Sequence, residues 1–277
     1  MLHRNRVEPV VEAELMHDFF KLGGKSVCVV GGGQGIGEAT CLAFARAGAN
    51  VIIIDRDRER AKAVADQIEA LGGRCAIAIG DVLEEAAAVR LMAEAEAAFG
   101  GIDVLTTIVG MGTFQPLLET TLDVWEAQHL VNLRYILPIA RAFAGSRIAA
   151  SQPGAITFIS SVAGFISSPP YAAYGAFKAA LIHLARTMAA EWGPHGIRVN
   201  TVAPGSIITP RLPDGEEWRT AMEKSMMPIK RRGTVREVAD AILFLSSDMA
   251  SFVTGQTLAV DGGLTATLGF VVPAAAS

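Results

Sequence analysis

In Val27-Cys28-Val29-Val30-Gly31-Gly32-Gly33-Gln34-Gly35-Ile36-Gly37 a short apolar run gives way at once to glycines. The run has strand character, and from Gly35 to Ala47 the apolar spacing becomes helical. A chain that turns this sharply needs backbone angles that glycine adopts without steric cost, and a backbone without side chains lets a ligand come close. The free N–H groups at the start of the following helix favour an anion, and a pyrophosphate suits them. The spacing is Gly-x-x-x-Gly-x-Gly, not Gly-x-Gly-x-x-Gly, so by itself it also fits a tight strand–helix turn that binds nothing.

The same alternation continues outward. Val51–Ile54 is β-branched throughout, Arg58–Leu71 has one charged and one apolar face, Arg74–Ile79 is strand-like and Glu84–Phe99 helix-like. Asp103–Val109 reads as a strand, and Leu122–Ala149 as one long helix kinked at Pro138. Ala155–Ile159, Tyr171–Trp192, Arg198–Val202, Val235–Ser246 and Thr257–Val260 complete the series, with Thr234 and Glu237 forming a capping-box signal. Strands alternating with long helices predict an α/β fold, a Rossmann-like doubly wound parallel sheet of about seven strands with helices on both faces. Continuously apolar strands fit burial on both sides. One domain is expected over residues 23–263, with an N-terminal extension at 1–22 and a C-terminal tail at 264–277. Residues 206–232 mix prolines and methionines with charges and read as a flexible substrate flap.

Composition narrows the classes. Of 277 residues, 51% are hydrophobic and 19% charged, which supports a large core. The formal net charge of −4 offers no basic stripe for nucleic acid. Mean hydropathy is +0.37, yet no apolar run reaches membrane-span length, so no membrane partner is expected. The N-terminus has charges throughout and lacks a signal-peptide core. Cys28, Cys41 and Cys75 have no metal-ligand spacing and read as small buried hydrophobes in a reducing cytoplasm. No metal site is expected.

Asp55 follows the second strand, where a carboxylate can accept from adenosine ribose hydroxyls and would repel a 2′-phosphate. This favours NAD over NADP, although Arg56 and Arg58 are available to pair with a phosphate, and Asp55 is also placed to cap a helix. Asp81 ends the third strand and suits either an adenine amino group or a helix cap. Tyr174 and Lys178 stand four apart in a helical pattern and share a face. A nearby ammonium favours a phenolate, which turns a tyrosine into a usable base. Tyr171 and Tyr135 have no lysine at that offset. Ser161 follows the strand Ala155–Ile159, at the carboxyl end where parallel sheets bind ligands, with Ser160 as its competitor.

Taken together, these residues resemble the short-chain dehydrogenase/reductase family, from Gly24 to Gly263. Asn132 in Val131-Asn132-Leu133 is similar to the family's active-site asparagine. The stretch Asn200 to Thr209 resembles its nicotinamide-side loop, and Thr254-Gly255-Gln256 with Asp261-Gly262-Gly263 its C-terminal signature. The resemblance implies that Tyr174 is the general acid/base, that Lys178 lowers its pKa and holds the nicotinamide ribose, that Ser161 binds the reacting oxygen, and that Asn132 supports a proton-relaying water. It also implies cofactor contacts from Gly31, Gln34, Gly35, Ile36 and Gly37, from Asp55, Arg56, Asp81 and Val82, from Ile108, Val109 and Gly110, and from Pro204, Gly205, Ile207 and Thr209. One departure stands out. The family's Asn-Asn-Ala-Gly is here Thr107-Ile108-Val109-Gly110, so the asparagine that braces the sheet centre is missing.

The expected activity is an NAD(H)-dependent interconversion of a secondary alcohol and a ketone. Ile207, Leu212, Trp218, Met222, Met226, Met227 and Ile229 in the flap, with Phe114, Leu117, Phe165, Ile166, Pro169 and Pro170, suggest an apolar pocket for a cyclic or bulky substrate. The same residues would equally serve to pack the flap on the body. A 3-oxoacyl thioester reductase and a non-catalytic dinucleotide-binding regulator are the alternatives. The resemblance implies a homotetramer, with the long helices ending near Ala149 and Trp192 forming one interface, and the tail from Leu264 is apolar enough to lie against a neighbour.

Overall fold

A computed structural model describes residues 19–267. In chain order its strands are β1 Ser26–Val30, β2 Asn50–Asp55, β3 Cys75–Ile79, β4 Val104–Thr107, β5 Gly154–Ile159, β6 Ile197–Pro204, β7 Ile207–Ile208, β8 Gly233–Thr234 and β9 Thr257–Val260. The helices are α1 Ile36–Arg46, α2 Arg58–Ala70, α3 Glu85–Phe99, α4 Leu122–His129, α5 Ile136–Ala149, α6 Ala172–Trp192, α7 Glu216–Lys224 and α8 Val235–Ser246. Seven strands form one parallel sheet in the order β3-β2-β1-β4-β5-β6-β9, while β7 and β8 pair only with each other. The order reverses between β1 and β4, and that reversal opens a crevice at the carboxyl ends of the strands.

Strand residues alternate between two cores, as a pleat of period two requires. Val27, Val29, Val51 and Ile53 pack with Phe44, Ile68, Val238 and Ile242 of α1, α2 and α8. Cys28, Val30, Ile52, Ile54, Leu105 and Ile156 pack on the other face with Leu91, Ile139, Phe143 and Leu181 of α3, α5 and α6. Each such side chain contributes roughly 1.5–3 kcal/mol by leaving water. Leu22, placed by sequence in the N-terminal extension, is buried with the first of these cores. Residues 1–18 of that extension and most of the tail lie outside the described residues. Among the described residues no helix is long and apolar enough to cross a membrane.

The stretch Leu122–Ala149 is not one kinked helix. α4 stops at His129, Leu130–Arg134 forms a π turn, and α5 begins at Ile136. Pro138 is the third residue of α5, directly after the π turn, and the helix runs on through it to Ala149. The flap is more ordered than expected: it contains α7, and the β7–β8 ladder clamps its two ends.

The capping box of α8 is present. Glu237 N–H donates to Thr234 Oγ1 at 3.3 Å and Thr234 N–H donates to Glu237 Oε2 at 2.7 Å. The Arg231 guanidinium and these capping bonds hold the Glu237 carboxyl down to about 2. Its folded value lies below the usual 4.5, so the stability it contributes is complete above that value and is lost as pH falls toward about 2. Thr234→Ala should cost about 1 kcal/mol at neutral pH, read as a lower urea midpoint at unchanged slope.

Candidate active site

The glycine-rich turn lies at the crevice. Gly31 and Gly35 have φ of +88° and +60°, and Gly31 N–H donates to Ile54 O at 2.7 Å, tying the turn to β2. A Cβ on Gly37 would stand 1.9 Å from Gly31 O, so only glycine lets α1 start this close to β1. No side chain caps α1, which leaves its first turn, from Gln34 and Gly35 into Ile36, open to an external acceptor. Asp55 Oδ2 accepts from Gly33 N–H at 2.8 Å and Oδ1 accepts from Asp57 N–H at 3.0 Å. The cap of α2 is Asp57, not Asp55. Asp81 accepts from Leu83 N–H at 3.0 Å beside the buried Val82 and does not cap α3, whose N-cap is Glu84. Its other oxygen draws in Arg56 at 3.7 Å. Across the crevice Ile108 N–H donates to Val30 O at 2.8 Å, and Val109 lies against Gly31. A side-chain-free turn, an uncapped helix start and a carboxylate one strand over form a cradle that fits a dinucleotide.

The second half of the site is built on β5 and α6. Ser161 leaves β5 and caps the short turn Val162–Gly164, its Oγ accepting from Ala163 N–H at 3.2 Å. A Cβ on Gly175 would stand 2.8 Å from Ala163 O, so this glycine lets α6 close on the serine turn and brings Tyr174 to Ser161. Sequence reading gave Gly175 no role beyond not being a lysine. Ser160 is resolved as a structural residue: it is buried and donates to Lys178 O at 2.9 Å, pinning α6 to β5.

Lys178 is 2% exposed and donates from Nζ to Ile159 O at 2.9 Å, with Nζ 5.6 Å from the centre of the Tyr174 ring. A Cβ on Gly110 would lie 2.9 Å from that Nζ and 3.2 Å from Asn132 Oδ1, so Gly110 makes room for both groups. Asn132, in the π turn, accepts from Met111 N–H at 3.2 Å and donates to Met111 O at 2.9 Å and Gln128 O at 3.0 Å. Its amide therefore locks the loop after β4. The buried Gln128, one turn before it, donates to Thr113 Oγ1 at 2.9 Å and extends the lock. Thr107 is buried, and the backbone after it is held by Tyr135, whose hydroxyl donates to Val109 O at 2.7 Å.

Electrostatics differ from the expectation in one respect. Lys178 was expected to lower the Tyr174 pKa, yet burial pushes the phenol above its usual value, with the adjacent Ser161 hydroxyl offsetting part of the rise. Burial also lowers the Lys178 ammonium to about 7, so the cation meant to assist is itself weakened. In the chain alone, burial thus favours the protonated phenol at Tyr174.

The flap end of the crevice is formed by Pro204, Gly205, Ile207 and Thr209. Gly205 packs on Asp261, and Asp261 accepts from Gly263 N–H at 3.0 Å and Thr265 N–H at 2.8 Å, closing the C-terminal turn. Thr209 Oγ1 accepts from Leu212 N–H at 3.2 Å, which leaves its own proton to donate. Of the apolar candidates, Ile207 and Met227 are buried and pack the flap onto the body. Phe114 is exposed and packs at a tilt against Tyr171, ring centres 4.0 Å apart, and the Tyr171 ring centre lies 5.7 Å from that of Tyr174.

Comparisons with known proteins agree on the class. Residues 31–265 match the family described as enoyl-(acyl carrier protein) reductase. The chain is 40% identical to glucose 1-dehydrogenase of Gluconobacter oxydans over 250 residues, 88% of this chain and 93% of that one. It superposes with a TM-score of 0.84 on a gluconate 5-dehydrogenase from Burkholderia cenocepacia in complex with NADP and tartrate, at 36% identity, covering 91% of this chain and 99% of that one. A 7α-hydroxysteroid dehydrogenase in complex with NADH and 7-oxoglycochenodeoxycholic acid superposes with a TM-score of 0.83 at 33% identity, covering 87% and 94%.

The buried lysine gives a stability test. Its folded value of about 7 lies below the usual 10.5, so between these the unfolded chain holds the extra proton and the fold loses stability as pH falls. Lys178→Met removes that liability. Its stability relative to wild type should rise from pH 10 to pH 7, by on the order of a few kcal/mol, in denaturant titrations at the two pH values.

Proposed function

Since the chain belongs to the short-chain dehydrogenase/reductase family, and is thus an oxidoreductase, we propose that it interconverts a secondary alcohol and a ketone with NAD(H). The observation that carries this reading is the convergence of Tyr174, Ser161, Lys178 and Asn132 beside an uncapped helix start at the sheet crevice. When bound, the nicotinamide supplies direct hydride exchange with the carbinol carbon and, oxidised, a positive charge. Ser161 orients the substrate oxygen through its hydroxyl. Tyr174 takes the alcohol proton during oxidation and returns it during reduction. Lys178, held by the Ile159 carbonyl, stabilises the phenolate and reaches the ribose, while Asn132 holds the β4 loop open for a relaying water. Ile207 backbone and the Thr209 hydroxyl fix the nicotinamide amide.

Preference for NAD over NADP rests on Asp55, whose carboxylate borders the glycine turn. Arg56, the residue best placed to counter it, is drawn to Asp81 instead. For the substrate, the exposed Phe114 ring packed on Tyr171 beside Tyr174 favours a cyclic or bulky apolar alcohol or ketone. We further propose that residues 23–263 act as one catalytic domain in a cytoplasmic homotetramer. The free thiols of Cys28, Cys41 and Cys75 suit a reducing compartment, and the exposed Leu118 and Leu122 suit a covered face.

Tyr174→Phe should keep NADH binding, measured by fluorescence titration, and lose turnover by about 10²–10⁴-fold; unchanged turnover refutes the mechanism. An assay of NAD⁺ against NADP⁺ over cyclic, aliphatic and steroid-like alcohols, sugars and 3-oxoacyl thioesters tests the rest. Activity confined to small polar sugars refutes the substrate reading, and a monomer in size-exclusion chromatography refutes the assembly.

A further inference from the structure

We infer that Arg232 is a positioning residue that pins residues 206–213 over the dinucleotide groove and thereby sets how fast the dinucleotide leaves, an inference that rests on the groove's proposed role. Arg232 sits in the run Lys230-Arg231-Arg232, yet it is 3% exposed. Among the described residues no carboxylate lies within ion-pair distance of it; the nearby Asp214 pairs with Arg219 at 3.0 Å. Its partners are oxygens of the flap. Nε donates to Ser206 Oγ at 3.1 Å, Nη1 to Pro213 O at 3.0 Å, and Nη2 to both Ile207 O and Leu212 O. Four of the five guanidinium N–H bonds are thus spent on both ends of one loop. Trp218 of α7 covers the guanidinium at 4.4 Å.

The loop so closed is the one that crosses the crevice. Thr209 and Leu212 bond each other's backbone, at 3.2 and 3.0 Å, to form its tip. Pro210 Cδ and Thr209 Cβ lie 3.5 and 3.9 Å from where a Gly35 side chain would begin, so the tip rests on the glycine turn. A ligand seated on that turn is covered by it, and the loop must lift for the ligand to depart. Arg232 resists lifting, because withdrawing the guanidinium takes the donor from four oxygens at once, among them the buried Ile207 carbonyl. Lysine, with a single point charge, cannot span both ends of the loop.

The test uses the full chain. Hydrogen–deuterium exchange at amides 207–213 is followed without ligand, and NADH or NADPH dissociation is followed by stopped-flow fluorescence. Arg232→Ala should speed both by about tenfold or more, as expected when a buried acceptor loses its donor. Arg232→Lys should restore less than half of the loss, and Trp218→Leu should speed both by a smaller factor. Wild-type rates in Arg232→Ala overturn the inference, as does faster exchange with unchanged dissociation. If Arg232→Ala does not fold, wild-type rates in both Arg232→Lys and Trp218→Leu overturn it. A wild-type chain that binds neither dinucleotide refutes the groove reading, and the gating role falls with it.

Discussion

Burial of the Lys178 amine against the Ile159 carbonyl dictates where the rest of the site can stand. A cation taken out of water needs a fixed acceptor, and a strand-end carbonyl is fixed because its strand is buried on both faces. Ser160 reinforces the contact by tying the Lys178 carbonyl back to β5, so one helical residue is held at both its side chain and its backbone. Gly110 must lack a side chain because the amine occupies that space, and Tyr174 follows one turn away. The cost of the arrangement is a weakened cation, and burial favours the protonated form of the neighbouring phenol as well.

Two close backbone approaches assemble the halves of the crevice. At Gly37 helix α1 begins against the first glycine of the turn, and at Gly175 helix α6 closes on the serine turn. Neither contact contributes much binding energy by itself. Both place donors and hydroxyls where strands end, which is why the site falls at the point where sheet order reverses. The flap completes the enclosure from the third side through a buried arginine instead of an apolar seam alone.

Much of this was legible in the sequence, for physical reasons. A parallel sheet covered on both faces demands β-branched runs such as Val51–Ile54, and long amphipathic helices between them leave few other topologies. Tyr174 and Lys178 could be paired because helical spacing alone puts them on one face, and Ser161 could be placed because it follows a strand. The π turn left no trace, since nothing in Leu130–Arg134 differs from ordinary helix sequence, and Pro138 drew attention to the wrong residue. Arg232 reads as a solvated charge until the fold brings carbonyls around it. Tyr135 shows no link to Val109 in sequence, because the contact spans two elements. The weakening of the Lys178 ammonium has no trace in the sequence either, because burial is a tertiary property.

The π turn also fixes the rotational phase between α4 and α5. Deleting any one residue from Leu130–Arg134 would close the wide turn to an ordinary α-helical one and shift the residues on its two sides relative to each other. Either Ile136, Ile139 and Phe143 would swing off the sheet, or Asn132 would turn away from Met111. The core and the crevice therefore share one length constraint, and this short stretch should resist insertion and deletion more strictly than the loops before α4 and after α5.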